Sequence, residues 1–139
     1  MKIDKSKIKP LPWWFKFNIF ARKAVGLGGR KYVYFNHELL KDLLSDNPSH
    51  ENIAILLHEL KHQERMNEVP WFKLKYVLSA KFRIQEELIA DEPRFKYLKE
   101  NGVEMDLVGR AKRLSGPMYR WAISYDDALE RLRRLWNKV

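Results

Sequence analysis

Residues 49–67 read SHENIAILLHELKHQERMN. Ser49 suits a helix N-cap and Val69-Pro70 suits a stop, so the stretch predicts a helix over residues 51–67. At about 100° per residue, Ile53, Leu56, Leu57, Leu60 and Glu64 centre on one direction. Ile55, His58, Glu59 and His62 centre on nearly the opposite one, so the helix has an apolar face and a chemical face. The run His58-Glu-Leu-Lys-His62 is the HExxH pattern. In it, histidines at i and i+4 can share one metal ion and the intervening Glu59 can serve as a base.

A catalytic zinc site usually takes three protein ligands and leaves a fourth position open. The chain has no Cys, so a third ligand must be His or carboxylate. The candidates are Glu86, Glu87, Asp91, Glu92, His37 and His50. Glu87-Leu-Ile-Ala-Asp91 sets two carboxylates at i and i+4 of a second helix, where one can bind metal and the other can accept a hydrogen bond from a ligating imidazole. Glu86 points about 100° away, on the side expected to be solvated, which favours Glu87. His37 and His50 read as exposed residues at helix ends.

Working outward, the chain divides into short elements. Residues 1–12 are a basic arm, loose up to residue 9 and closed by Pro10-Leu-Pro12. Trp14, Phe17, Ala21 and Ala24/Val25 fall at helical spacing within 13–25. This aromatic, basic helix could suit a membrane interface, but core packing is the simpler reading. Gly26-Leu-Gly28-Gly29 precedes a strand and completes no phosphate-binding fingerprint, so it reads as a turn. A strand is expected over 31–36 and a helix over 37–44. Residues 71–90 are helical in pattern, and Pro93 either kinks that helix or opens another carried to residue 100. Helices over 104–114 and 126–138 follow, the last with Ser124 and Asp127 as a cap pair. All five Trp read as core or inter-segment packing rather than as base-stacking platforms. The whole is a single mostly helical α+β domain with a small sheet of one to three strands.

The 139 residues are 45% apolar, enough for one core and too few for two ordinary domains. The longest apolar run, residues 53–57, is far short of the roughly 18 that suggest a membrane span. With no signal-peptide pattern before residue 21, a soluble cytoplasmic protein is the expectation. The net charge of +9 is uneven: +8 over residues 1–31, −4 over 32–109 and +5 over 110–139. Basic ends around an acidic middle fit attraction to an anionic polymer or membrane, and equally fit basic segments lying on an acidic body.

HExxH followed by Glu-x-x-x-Asp beginning 25 positions after the second histidine resembles the gluzincin metallopeptidases, the thermolysin-like group. The small size, the Glu-x-x-Ala-Asp form and the run Tyr-Val-Tyr-Phe-Asn-His-Glu-Leu-Leu most resemble the minigluzincins, soluble minimal relatives of integral-membrane zinc endopeptidase catalytic domains. The resemblance covers about residues 31–100. It implies a zincin-like minimal domain with an active-site helix, in which His58, His62 and Glu87 bind Zn²⁺. It further implies that Glu59 is general base and acid, that Asp91 orients His58, and that the substrate is a peptide or protein. The strand 31–36 sits where those enzymes carry the substrate-binding edge, so an extended substrate would pair there. Minigluzincins are latent, and the C-terminal segment 115–139, chiefly its basic helix 126–138, is the candidate for self-inhibition over the cleft or self-association. Tyr97, Tyr119, Arg120 and Tyr125 are the candidates for oxyanion stabilisation, with none marked. The competing class is a basic nucleic-acid or anionic-membrane binding module that keeps zinc as a structural tie.

Overall fold

A computed structural model describes residues 4–12 and 26–139. The expected helix over 13–25, with Trp13 and Trp14, lies outside the described residues. The chain forms β1 (Ile8–Pro10), β2 (Gly26–Gly28) and β3 (Val33–Phe35), then α1 (His37–Leu44) and α2 (His50–Glu68). It continues through α3 (Phe72–Leu78), α4 (Ala80–Glu100), α5 (Leu107–Leu114) and α6 (Tyr125–Lys138). The result is a mostly helical α+β fold with a three-stranded sheet.

Local chemistry sets most helix ends. The side chains of Asn36, Ser49, Asp106 and Ser124 accept the backbone N–H of Leu39, Asn52, Gly109 and Asp127 at the starts of α1, α2, α5 and α6. The expected helix over 71–90 divides instead at Ser79. Its N–H closes α3 on the Lys75 carbonyl, and its hydroxyl accepts from Phe82 N to open α4. No Gly or Pro marks that break. Pro93 neither stops nor restarts the chain, and α4 passes through it unbroken. Only the bond that its missing N–H would have made to Ile89 is lost.

The sheet order is β1-β3-β2. β1 runs parallel to β3 with Ile8 beside Val33, and β2 runs antiparallel to it with Gly28 beside Val33. Two expectations are corrected by this. The segment 4–12 is not a loose arm, because a 3-10 turn at Lys5–Lys7 leads directly into a paired strand with Ile8 buried. The strand around residues 33–35 is no edge, because both of its sides are already paired; among the described residues β1 and β2 are the edges. β2 also lies against α2. A Cβ placed on Gly28 would meet the Glu59 carbonyl oxygen, His62 Cβ and Met66 Cε, each at 3.2 Å, so glycine lets the strand pass this close.

Two apolar clusters flank the middle of the molecule. Ile8, Val33, Phe35, Leu39, Leu43, Ile53 and Leu56 join the sheet to α1 and the first half of α2. Ile84, Phe95, Ala111, Leu114, Tyr119, Ala128, Leu129 and Leu132 join α4, α5 and α6. Between them α2 packs along α4, and the polar faces of those two helices meet.

Two surface assignments also change. Glu86, expected on the solvated side, is 1% exposed, because Arg65 of α2 donates to both its oxygens, Nε at 2.9 Å and Nη2 at 2.8 Å. Trp71 and Trp121, expected in the core or packed between segments, are 74% and 72% exposed. Trp136 does pack, edge-on to Phe95.

Breaking a buried ion pair from one side strands the remaining charge. Arg65→Ala is therefore expected to cost about 2–4 kcal/mol in urea unfolding, whereas Lys61→Ala, which removes a surface pair with Glu64, should cost under about 0.5 kcal/mol. Equal losses in the two variants would contradict the burial of Glu86.

Candidate metal centre

His58 and His62 leave the same face of α2 one turn apart, with ring centroids 4.7 Å apart and the planes nearly perpendicular. Glu87 and Asp91 leave α4 one turn apart and meet them. His58 Nε2 lies 3.4 Å from Glu87 Oε2, and His62 Nε2 lies 3.2 Å from Glu87 Oε1. One ligand atom from each of His58, His62 and Glu87 fits within 4.8 Å of the others. All three residues are buried.

The donor set and its spacing suit a metal ion. Two imidazoles and a carboxylate are ordinary zinc ligands at about 2.0–2.2 Å, for which a tetrahedron has edges of roughly 3.3–3.5 Å. The 3.4 and 3.2 Å contacts run to different oxygens of Glu87, so the carboxylate sits between the two rings, with one ligand atom of each residue within 4.8 Å of the others. His58 Nδ1 lies 2.9 Å from Asp91 Oδ1, which fixes the ring and leaves Nε2 to face Glu87. His62 is held differently, by edge-on packing against Phe72 and Tyr76 at 6.5 and 6.1 Å between centroids. Its Nδ1 has no hydrogen-bond partner among the described residues.

A cation already binds the two carboxylates. Arg110 of α5 donates from Nε to Asp91 Oδ2 and from Nη2 to Glu87 Oε2, both at 2.8 Å, and is itself buried. Arg94 adds a weaker contact to Asp91 Oδ1 at 3.6 Å. The hydroxyl of Tyr76, on α3, donates to Glu87 Oε1. Tyr119 also faces Glu87 and Arg110. Formally, Glu87 and Asp91 at −2 are balanced by Arg94 and Arg110 at +2, before Glu59 and the imidazoles are counted.

The environment sets the proton affinities. Burial alone would raise the carboxyl of Asp91, but the charges of Arg110 and His58 outweigh it and hold the group at about 2. Burial would likewise raise Glu87, and hydrogen bonds from His58 and His62 with the charge of Arg110 carry it well below the usual range. Burial would depress His58, yet Asp91 and Glu87 outweigh it and lift the ring to about 9. Glu59 moves upward because burial dominates over the two neighbouring imidazoles. Tyr76 and Tyr119 are pushed up by burial and by Glu87, so both stay protonated and act as donors.

His58, Glu59, His62, Glu87 and Asp91 are thus brought together. Glu86 is bound to Arg65 and Glu92 is exposed, with a contact to Lys138. His37 and His50 are exposed, and His50 Nδ1 pairs with the Tyr97 hydroxyl at 2.9 Å. That partnership holds Tyr97 near the start of α2, about 12 Å along the helix from His58. Of the oxyanion candidates only Tyr119 is beside the group; Arg120 and Tyr125 are exposed. Helix α6 packs on α4 and α5, so within 115–139 it is Tyr119 that reaches the site. Arg110 and Tyr76 were not anticipated. Arg110 did leave a signal, since it shares the stripe of Leu107, Ala111 and Leu114, where a charge needs a buried partner.

No known protein family, characterised protein or solved structure gives a significant match to this chain.

A metal ion held at this group would compete with a proton for His58 Nε2. In metal-free protein a raised imidazole pKa contributes stability that is complete below the unfolded value near 6.5 and lost as pH rises through about 9. NMR titration of EDTA-treated protein should place the His58 midpoint near 9, and Asp91→Asn should lower it. A midpoint below 6.5 in the unsubstituted protein would contradict the geometry.

Proposed function

We propose that this chain is a zinc-dependent endopeptidase of the gluzincin type, held in a closed, latent form. What carries the reading is the convergence of His58, His62 and Glu87 within 4.8 Å on facing helices, with Glu59 between the two histidines. Those three residues would hold the ion, and Asp91 would orient His58.

Zinc held there supplies Lewis-acid chemistry, making a nucleophile of water near neutral pH and polarising an amide carbonyl. Glu59 would act as the base toward an attacking water and as the acid toward the leaving nitrogen, carrying the proton on its carboxylate. Its raised pKa brings its basicity closer to the working range of such a base. Arg110 keeps Glu87 and Asp91 ionised and aimed at the histidines. Tyr76 and Tyr119, protonated and beside Glu87, are donors that could stabilise an oxyanion at the site. An extended substrate would pair with β2, the edge strand beside α2, in place of the paired strand β3.

The closed state is supported by exposure. The three ligand residues are between 4% and 7% exposed, with α3 supplying Phe72 and Tyr76 at the site and α5 supplying Arg110. A peptide could reach them only after one of these elements moves.

A second reading is favoured by the same hydrogen bonds. Because Arg110 and Tyr76 already satisfy Glu87, an ion there could serve to tie α2 to α4 in a basic binding module for nucleic acid or anionic membranes.

Metal analysis separates chemistry from latency, since it requires no turnover. The protein is expected to bind one zinc per chain by elemental analysis and calorimetry, and His58→Ala, His62→Ala and Glu87→Ala should each abolish tight binding. Glu59→Gln should keep the zinc and reduce peptide hydrolysis by about 10²–10⁴-fold in any activated form. Full hydrolysis by zinc-loaded Glu59→Gln would overturn the peptidase reading. Salt-sensitive DNA binding that survives EDTA, without EDTA-sensitive cleavage, would favour the binding module.

A further inference from the structure

We propose that the outward face of α3, together with residues 118–121, docks on an anionic lipid bilayer. The surface is independent of whether the metal centre is a peptidase. Helix α3 has two faces. Phe72 and Tyr76 turn inward onto His62, while Leu74, Val77 and Leu78 point the opposite way and are between 53% and 68% exposed. Trp71 precedes this face, and Met118 and Trp121 lie on the segment that Arg83 links to α3; all three are more than half exposed. Arg83 holds the two segments side by side: its Nε donates to the Tyr76 carbonyl at 3.0 Å and its Nη1 to the Met118 carbonyl at 2.8 Å. Six large apolar side chains left in water on neighbouring segments mark a binding surface rather than scatter.

Both tryptophans are held outward by unusual backbone. Trp71, Arg120 and Trp121 have φ of 59°, 56° and 50°, the left-handed region that bulky residues rarely adopt. Such conformations persist when the surroundings impose them, and here they present two rings to solvent.

Charge selects the occupant. Residues 69–83 and 107–125 contain no Asp or Glu, and Lys73, Lys75, Lys81 and Arg120 are exposed there. A second copy of the chain would set these cations against themselves. A nucleic acid would use the cations and the two rings but leave Leu74, Val77, Leu78 and Met118 without apolar partners. An anionic bilayer accommodates all of them, with aliphatic groups at the acyl boundary, tryptophans at headgroup depth and lysines on lipid phosphates.

Co-sedimentation of the full chain with phosphatidylcholine vesicles, with and without phosphatidylglycerol, tests this. The protein should partition onto the anionic vesicles and not the neutral ones, and less so as NaCl is raised. Trp71→Ser with Trp121→Ser should lower partitioning at least tenfold. Lys73→Glu with Lys75→Glu should do so as well, each lysine being worth about fivefold. All four positions are exposed, and circular dichroism checks that the variants fold. The proposal is overturned if the protein ignores anionic vesicles at low salt, or if both variants partition like the unsubstituted chain. It is also overturned if the surface serves a single-stranded oligonucleotide or a dimer, seen as binding or association that the variants lose while vesicle binding is absent.

Discussion

Glu87 and Asp91 stand one turn apart on α4 with almost no access to solvent, and the guanidinium of Arg110 spans them with two 2.8 Å hydrogen bonds. Buried carboxylates are tolerated only when paired, and removing one partner of such a pair typically costs about 3–5 kcal/mol. The position of α5 is thereby tied to the polar seam between α2 and α4. Through His58, Asp91 extends the same network to α2, so the geometry of these side chains and the stacking of three helices are one arrangement. The apolar clusters on either side exclude water and make those hydrogen bonds matter more than they would at a surface.

Protein groups already bond both carboxylates, and this shapes the chemistry of the site. Arg110 and Tyr76 occupy Glu87, and a protonated His58 can bridge Asp91 and Glu87. A metal ion bound there would exchange with a proton, which would couple its affinity to pH and to the elements that carry Tyr76 and Arg110. Helix α3 joins this site to the surface, because its inner side chains touch His62 and Glu87 while its outer ones face solvent.

Where a residue's neighbours are close in sequence, the reading succeeds. Ser49, Val69-Pro70 and the HExxH spacing are enough to find α2 and its chemical face, and the i,i+4 spacing of Glu87 and Asp91 brings out their shared side of α4. It fails where the partner is distant. Glu86 looks solvated until Arg65, 21 positions earlier, is seen against it. Val33–Phe35 looks like an edge strand until the three residues Ile8–Pro10, too short to show alternation, pair with it. Ser79 ends one helix and begins another with no Gly or Pro to announce the break. Trp71 and Trp121 go against the usual burial of tryptophan, and nothing in their neighbouring residues signals the left-handed backbone that turns them outward.

The most direct measurement of the central claim is zinc K-edge X-ray absorption on protein loaded with a single equivalent of metal. Two imidazole nitrogens and one carboxylate oxygen at about 2.0–2.2 Å are predicted. A first shell of water and carboxylate oxygens with no imidazole scattering would contradict it, because His58 and His62 would then not face a common ion.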